Sequence, residues 1–142
     1  MRLATAADRD LIADWLAAFA VEALGAQDTS PRHEIADRWI DVPDRRMYLW
    51  EDGGVVSLCG VSGETPHGIR VAPVYTPPEL RGRGYASACV AAVSQAQLDA
   101  GRRYCFLFTD LANPTSNHIY RAVGYEPVCD VDEYRFDVPS GA

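Results

Sequence analysis

Between an apolar stretch, Ile69 to Thr76, and an alanine-rich one, Gly84 to Ala100, the chain reads Pro77-Pro78-Glu79-Leu80-Arg81-Gly82-Arg83-Gly84-Tyr85-Ala86. A strand that runs into a helix through such a turn presents successive backbone N–H groups at the positive end of the helix dipole, where an anion is stabilised. Gly82 and Gly84 permit a close approach that a Cβ would obstruct, and Arg81 and Arg83 add donors suited to phosphate oxygens. The junction therefore points to an α/β fold with a phosphate-type ligand at the helix start. On these residues alone a second reading stays open, in which the glycines only shape a turn and the arginines are solvated.

The spacing fits neither common nucleotide signature. A P-loop needs a Lys-Ser/Thr pair, and a dinucleotide fold needs three glycines directly after the first strand.

Charge makes the junction stand out. The chain carries −7 at pH 7 with pI near 4.8, which argues against nucleic acid and anionic membranes as partners, since both need a dominant basic face. With 48% hydrophobic and 23% charged residues over 142 positions, the expectation is one globular domain spanning residues 1–142. No apolar run approaches the ~20 residues of a membrane span, and no signal-peptide core follows Met1, so a cytoplasmic protein is expected. Cys59, Cys89, Cys105 and Cys129 lack a CxxC pair and sit in apolar contexts that suit buried reduced thiols. His33, His67 and His118 show no ligand spacing, and no metal site is expected.

Along the chain, Thr5-Ala6-Ala7-Asp8 has the form of a capping box, and Leu11, Ile12, Trp15, Leu16, Phe19 and Leu24 recur at helical spacing until Gly25. Asp28-Thr29-Ser30-Pro31 starts a second helix, with Ile35, Ala36, Trp39 and Ile40 on one face. Met47 to Glu51 and Val55 to Val61 form a hairpin around Asp52-Gly53-Gly54. Ile69 to Thr76 is a strand in which Pro73, unable to donate to a ladder, predicts an irregularity.

Gly84 to Ala100 is a helix with a small-residue inner face of Ala86, Cys89, Val90 and Val93. Tyr104 to Thr109, apolar on both faces, has the pattern of a central covered strand. Asn113-Pro114 caps a short helix ending at Gly124. Glu126 to Cys129 and Glu133 to Val138 suggest one or two closing strands. The order of elements implies an α/β sheet with helices on both faces.

Two segments carry a resemblance. Arg81-Gly82-Arg83-Gly84-Tyr85-Ala86 resembles the acetyl-coenzyme A signature of the GNAT N-acetyltransferase superfamily: Arg or Gln, two residues, Gly, one residue, then Gly or Ala. Asn113-Pro114-Thr115-Ser116-Asn117-His118-Ile119-Tyr120, followed by Gly124-Tyr125, resembles its second signature, in the family's order and at its usual separation. The element order is similar over essentially the whole chain. The resemblance implies a single-domain GNAT-like fold, a mixed sheet of about six to seven strands flanked by four helices and splayed at a cofactor slot.

It also implies acetyl-CoA as co-substrate. The backbone of Val74, Tyr75 and Thr76 would pair with the pantetheine arm, the amides from Arg81 through Gly82, Arg83, Gly84 and Tyr85 to Ala86 would hold the pyrophosphate, and Asn113 and Ser116 would lie near the cofactor. Pro73 would mark the bulge that opens the slot. Tyr120 matches the tyrosine that serves as general acid in many members. Tyr85 is bulkier than the usual aliphatic residue, and Ser116 stands where Ala is commoner.

The function implied is direct acetyl transfer to a primary amine of a small molecule or peptide; the alternative is a non-catalytic acyl-CoA-binding regulatory module. For a general base the sequence offers Asp110, Glu64 or a water relay without choosing among them. The first two helices, with Trp15, Phe19, Glu22, Glu34, Asp37 and Trp39, would shape the acceptor site. The resemblance leaves open a homodimer or a covalently linked second domain.

Overall fold

The computed structural model describes residues 1–25, 31–134 and 136–137. A five-stranded sheet runs in the order β1 (Arg2–Leu3), β2 (Arg46–Glu51), β3 (Val55–Ser62), β4 (Gly68–Tyr75), β5 (Tyr104–Phe106). The first four strands are antiparallel and β5 is parallel to β4. The α-helices among the described residues are α1 (Arg9–Leu24), α2 (Arg32–Ile40), α3 (Tyr85–Asp99) and α4 (Pro114–Val123).

Alternation along the strands sorts the core into two layers. On one face Met47, Leu49 and Leu58 pack with Ile12, Leu16 and Ala36 of α1 and α2; on the other Cys59, Val61, Ile69 and Val71 pack with Cys89, Val90 and Val93 of α3. The expected sandwich of helices on both faces is therefore present.

The chain enters the sheet through a polar clamp. Asp8 accepts from the Thr5 backbone N–H at 2.8 Å, as the capping-box pattern predicts, and pairs with both terminal nitrogens of Arg2 at 2.8 and 2.9 Å. The Arg2 guanidinium, first among its contacts, holds the Asp8 carboxyl down to about 2.

The irregularity predicted at Pro73 is a β-bulge. Cys59 pairs with Val74 and Val61 with Val71, so Gly60 alone stands opposite Ala72 and Pro73. The extra residue resets the alternation of β4: Ile69, Val71 and Val74 pack with the α3 layer, whereas Tyr75 turns to the α1 layer. Gly60 is required there, because a Cβ would lie 2.7 Å from the Trp39 ring, 2.8 Å from the Ala72 carbonyl oxygen and 2.9 Å from Pro73 Cδ.

Several expectations need correction. Among the described residues the sheet has five strands, not six or seven. Residues 126–134 form no strand, because a strand needs a ladder partner and a buried face. Here Val128 and Tyr134 are 94% and 75% exposed, and Asp130, Asp132 and Glu133 crowd like charges together. The end of the segment predicted as Glu133 to Val138 lies partly outside the described residues, as do Asp28, Thr29 and Ser30 at the predicted start of the second helix, and α2 begins at Arg32.

The strand predicted as central is the short strand β5, at the edge of the sheet among the described residues, with Tyr104 and Phe108 about half exposed. Apolarity on both of its faces serves Cys105 on the α3 side and the ring ladder Tyr104, Phe106 and Phe108 on the other. Of the cysteines, Cys59 and Cys89 are buried free thiols, Cys105 is half-buried and Cys129 is exposed, contrary to its apolar context.

Candidate active site

The β4–β5 pairing covers only Gly68 with Tyr104, Ile69 with Cys105 and Arg70 with Phe106. β4 continues to Tyr75, so its residues from Val71 onward present an edge that no strand covers among the described residues. An extended ligand with amide groups can complete that edge as a strand would. This is the predicted splay. It lies in a cleft of about 1830 Å³ whose lining includes Val74, Tyr75, Thr76, Gly82, Gly84 and Tyr120, larger than the roughly 300–1,000 Å³ of sites for drug-sized ligands.

The far end of β4 is pinned. The Ser57 hydroxyl, fully buried, donates to the Tyr75 carbonyl at 3.1 Å and lies 2.9 Å from Thr76 Oγ1. Arg81 Nε donates to the Thr76 carbonyl at 2.8 Å, Arg81 Nη2 pairs with Glu22 at 2.6 Å, and the guanidinium lies over the Tyr75 ring. The Arg81 side chain therefore braces the turn against α1, and its donors are largely used by the protein itself.

The turn beyond Arg81 is open. Gly82 and Gly84 have φ of +78° and +81°, with no atom within 4 Å of a built Cβ. Gly84 caps α3, whose first N–H groups have no partner in the preceding turn. Arg83 is exposed beside it. The Tyr85 hydroxyl reaches the hairpin turn and donates to Asp52 at 2.6 Å, which accommodates its bulk and fixes the start of α3. A pyrophosphate fits this cradle on each count: N–H donors at the start of α3, no Cβ in the way, the exposed Arg83 guanidinium and the helix dipole.

Across the cleft, Asn113 caps α4 by accepting from the Ser116 N–H at 3.1 Å. Ser116 and Tyr120 then face the cleft, one helical turn apart. The Tyr120 ring packs edge-on to Tyr125 at 6.1 Å and against the α3-side core. Burial, with a smaller contribution from Cys59, pushes its hydroxyl up to about 12, so it stays protonated at neutral pH. No hydrogen bond within the described residues engages it.

Of the two carboxylates named as candidate bases, Asp110 lines the cleft but its Oδ1 accepts from the Ala112 N–H at 2.9 Å, a turn-capping role. Glu64 is outside the cleft lining and is held by Arg102 at 2.6 Å, which keeps its carboxyl below the usual carboxylate range. Neither is poised as a base. Sequence reasoning missed Ser57 and Gly60, although a polar residue inside Val55-Val56-Ser57-Leu58-Cys59 and a glycine inside a strand are signals of a buried tie and a close backbone approach.

The family model for the GNAT acetyltransferases matches residues 10–125. The chain belongs to the GNAT acetyltransferase family. Solved structures share its fold. One is an aminoglycoside N-acetyltransferase, AAC(6')-Iy, in complex with a CoA-based bisubstrate analogue, at 16% identity over 96% of this chain and 97% of that one, TM-score 0.77. Another is the ribosomal-protein-alanine N-acetyltransferase of Brucella melitensis biovar Abortus 2308, at 17% identity over 96% and 97%, TM-score 0.76. A search of curated proteins found no match.

For a GNAT protein the cleft is where acetyl-CoA is expected as co-substrate, and its features suit that ligand. Among the described residues no group of His, Cys, Asp and Glu side chains forms a metal site, and no helix is long and apolar enough to cross a membrane.

Proposed function

We propose that this GNAT protein is an acetyl-CoA-dependent N-acetyltransferase that moves the acetyl group directly to a primary amine of a small molecule or peptide, without an acetylated enzyme intermediate. The observation that carries this reading is the position of the free Tyr120 hydroxyl in the same cleft as the uncovered β4 edge and the Gly82–Gly84 cradle.

Binding falls to the chain's backbone: the β4 edge from Val71 to Tyr75 aligns the pantetheine amides, and the α3 N-terminus with Arg83 takes the pyrophosphate. This leaves the thioester near the bulge, where a backbone N–H of β4 about Val74 faces the carbonyl oxygen and stabilises negative charge as it develops. The amine nitrogen then forms its bond to the acetyl carbon as the carbon–sulfur bond breaks. Tyr120 donates its hydrogen to the departing sulfur, which leaves as the CoA thiol, and the proton lost by the amine returns through water in the open cleft to the Tyr120 oxygen. With Asp110 and Glu64 engaged elsewhere, a water relay is the base this geometry favours.

The test is stoichiometry. A panel of primary amines with acetyl-CoA should yield one acetylated amine for each CoA thiol released. Saturable acetyl-CoA binding with no thiol release above the enzyme-free rate for every amine would instead leave an acyl-CoA-binding module.

A further inference from the structure

The sheet register places two arginines around the acceptor side of this cleft. Arg46 pairs with Val61 and Ser62 pairs with Arg70, so Arg45, one residue before Arg46, falls opposite Ser62. Arg45, Ser62 and Arg70 form a row across β2, β3 and β4. Val61 belongs to the α3-side core, so alternation turns its neighbour Ser62, and with it the row, to the α1–α2 face. All three line the cleft that contains the β4 edge. With strands about 4.8 Å apart, the two arginine Cα atoms are roughly 10 Å apart, and their side chains can converge on one group above Ser62.

Both guanidiniums are backed by aromatic rings. Arg45 lies 5.6 Å from the centre of the Trp39 ring and Arg70 lies 5.3 Å from that of Phe108. Stacking holds each plane while leaving its N–H edge free. Phe108 is two residues beyond Phe106, the register partner of Arg70, so Arg70 is drawn along the strand toward the splay. Arg2, Arg9, Arg38, Arg81 and Arg102 each pair with a carboxylate; among the described residues neither Arg45 nor Arg70 does.

Two guanidiniums that lie over aromatic rings and form no ion pair among the described residues, in a cleft whose lining also carries Asp110 and Glu133, are suited to receive an oxyanion. We propose that they select the acceptor: an amine that also carries a carboxylate or phosphate, bound with its oxyanion between Arg45 and Arg70 over Ser62 and its nitrogen directed at the bulge. In a chain of net charge −7, such an acceptor would be repelled without this local positive pair. A polycationic acceptor meets the wrong sign here. The proposal rests on the transferase reading and narrows its substrate class.

The experiment compares CoA release with 4-aminobutanoate and O-phosphoethanolamine against their uncharged counterparts, 4-aminobutanamide and ethanolamine, and with spermidine. The expected kcat/KM is at least about tenfold higher for an oxyanion-bearing amine than for its counterpart. An Arg45→Gln/Arg70→Gln double variant should collapse that ratio toward one through KM, while acetyl-CoA affinity stays within about twofold. Equal use of the uncharged amines, a preference for spermidine, or an unchanged ratio in the variant would overturn the proposal. If acetyl-CoA binds and no amine turns over, the transferase reading fails by itself. The subsite is then read from melting of the CoA-loaded protein: stabilisation by the oxyanion amines alone, lost in the variant, supports it, and equal shifts refute it.

Discussion

Gly60 and Ala72 face one another across the break in the β3–β4 ladder, and a Cβ at Gly60 would lie 2.8 Å from the Ala72 carbonyl oxygen. The same glycine lets the Trp39 ring of α2 rest on the sheet. One small residue thus shapes both sides of the cleft, the bulge that leads into the open β4 edge and the wall that carries Arg45.

Gly60→Ala should therefore act on stability and on binding together. The backbone oxygen and the proline ring cannot rotate away, so the strand must shift, at a cost of about 1–3 kcal/mol. Urea unfolding should show a lower midpoint with an unchanged slope. Calorimetry on the folded fraction should show weaker acetyl-CoA binding.

Tyr120→Phe separates chemistry from packing. Its hydroxyl has no hydrogen bond in the described protein and its ring packs against Tyr125, so the variant should melt with wild-type stability and bind acetyl-CoA as before. Loss of a donor to the leaving sulfur should lower kcat by about a hundredfold or more. An unchanged kcat would reduce Tyr120 to a packing residue.

The Arg2–Asp8 clamp predicts an acid-side stability loss. Asp8 is nearly buried and its carboxyl lies near 2, below the usual 3.8. A depressed native value means that the unfolded chain takes up the proton first, so the contribution is complete above pH 3.8 and fades as pH falls toward 2. It amounts to about 1–2 kcal/mol, allowing for the part-exposed Arg2 partner. Unfolding of wild type and Asp8→Asn, compared at pH 6 and pH 2, should show a wild-type advantage that largely vanishes at the lower pH.

What the sequence made legible follows from how local each signal is. The Pro73 irregularity, the Gly82–Gly84 turn, the Asn113 cap and the Gly25 and Gly124 helix ends are written in residues adjacent to the feature they produce. The edge position of β5 was not, because two apolar faces describe a strand's surroundings and not its rank in the sheet. The exposed Cys129 and the lack of a strand over residues 126–134 were not legible for a similar reason: apolar neighbours do not guarantee something to pack against. Arg45 and Arg70 stand twenty-five positions apart in sequence, and only the register of three strands brings them into one row. The protein's own use of Arg81 likewise depends on Glu22, a partner from α1.

The most direct measurement is a calorimetric titration of acetyl-CoA into the wild-type protein and into Gly84→Glu. Gly84 sits at φ +81° with open space around it, so a glutamate there adds modest backbone strain but places a carboxylate where the cradle would take pyrophosphate. Wild type should bind one acetyl-CoA per chain, while the folded variant, verified by its melting transition, should give no measurable heat. Equal affinity in the two proteins would contradict the assignment of the β4–α3 junction as the pyrophosphate site, and with it the placement of the cofactor along β4.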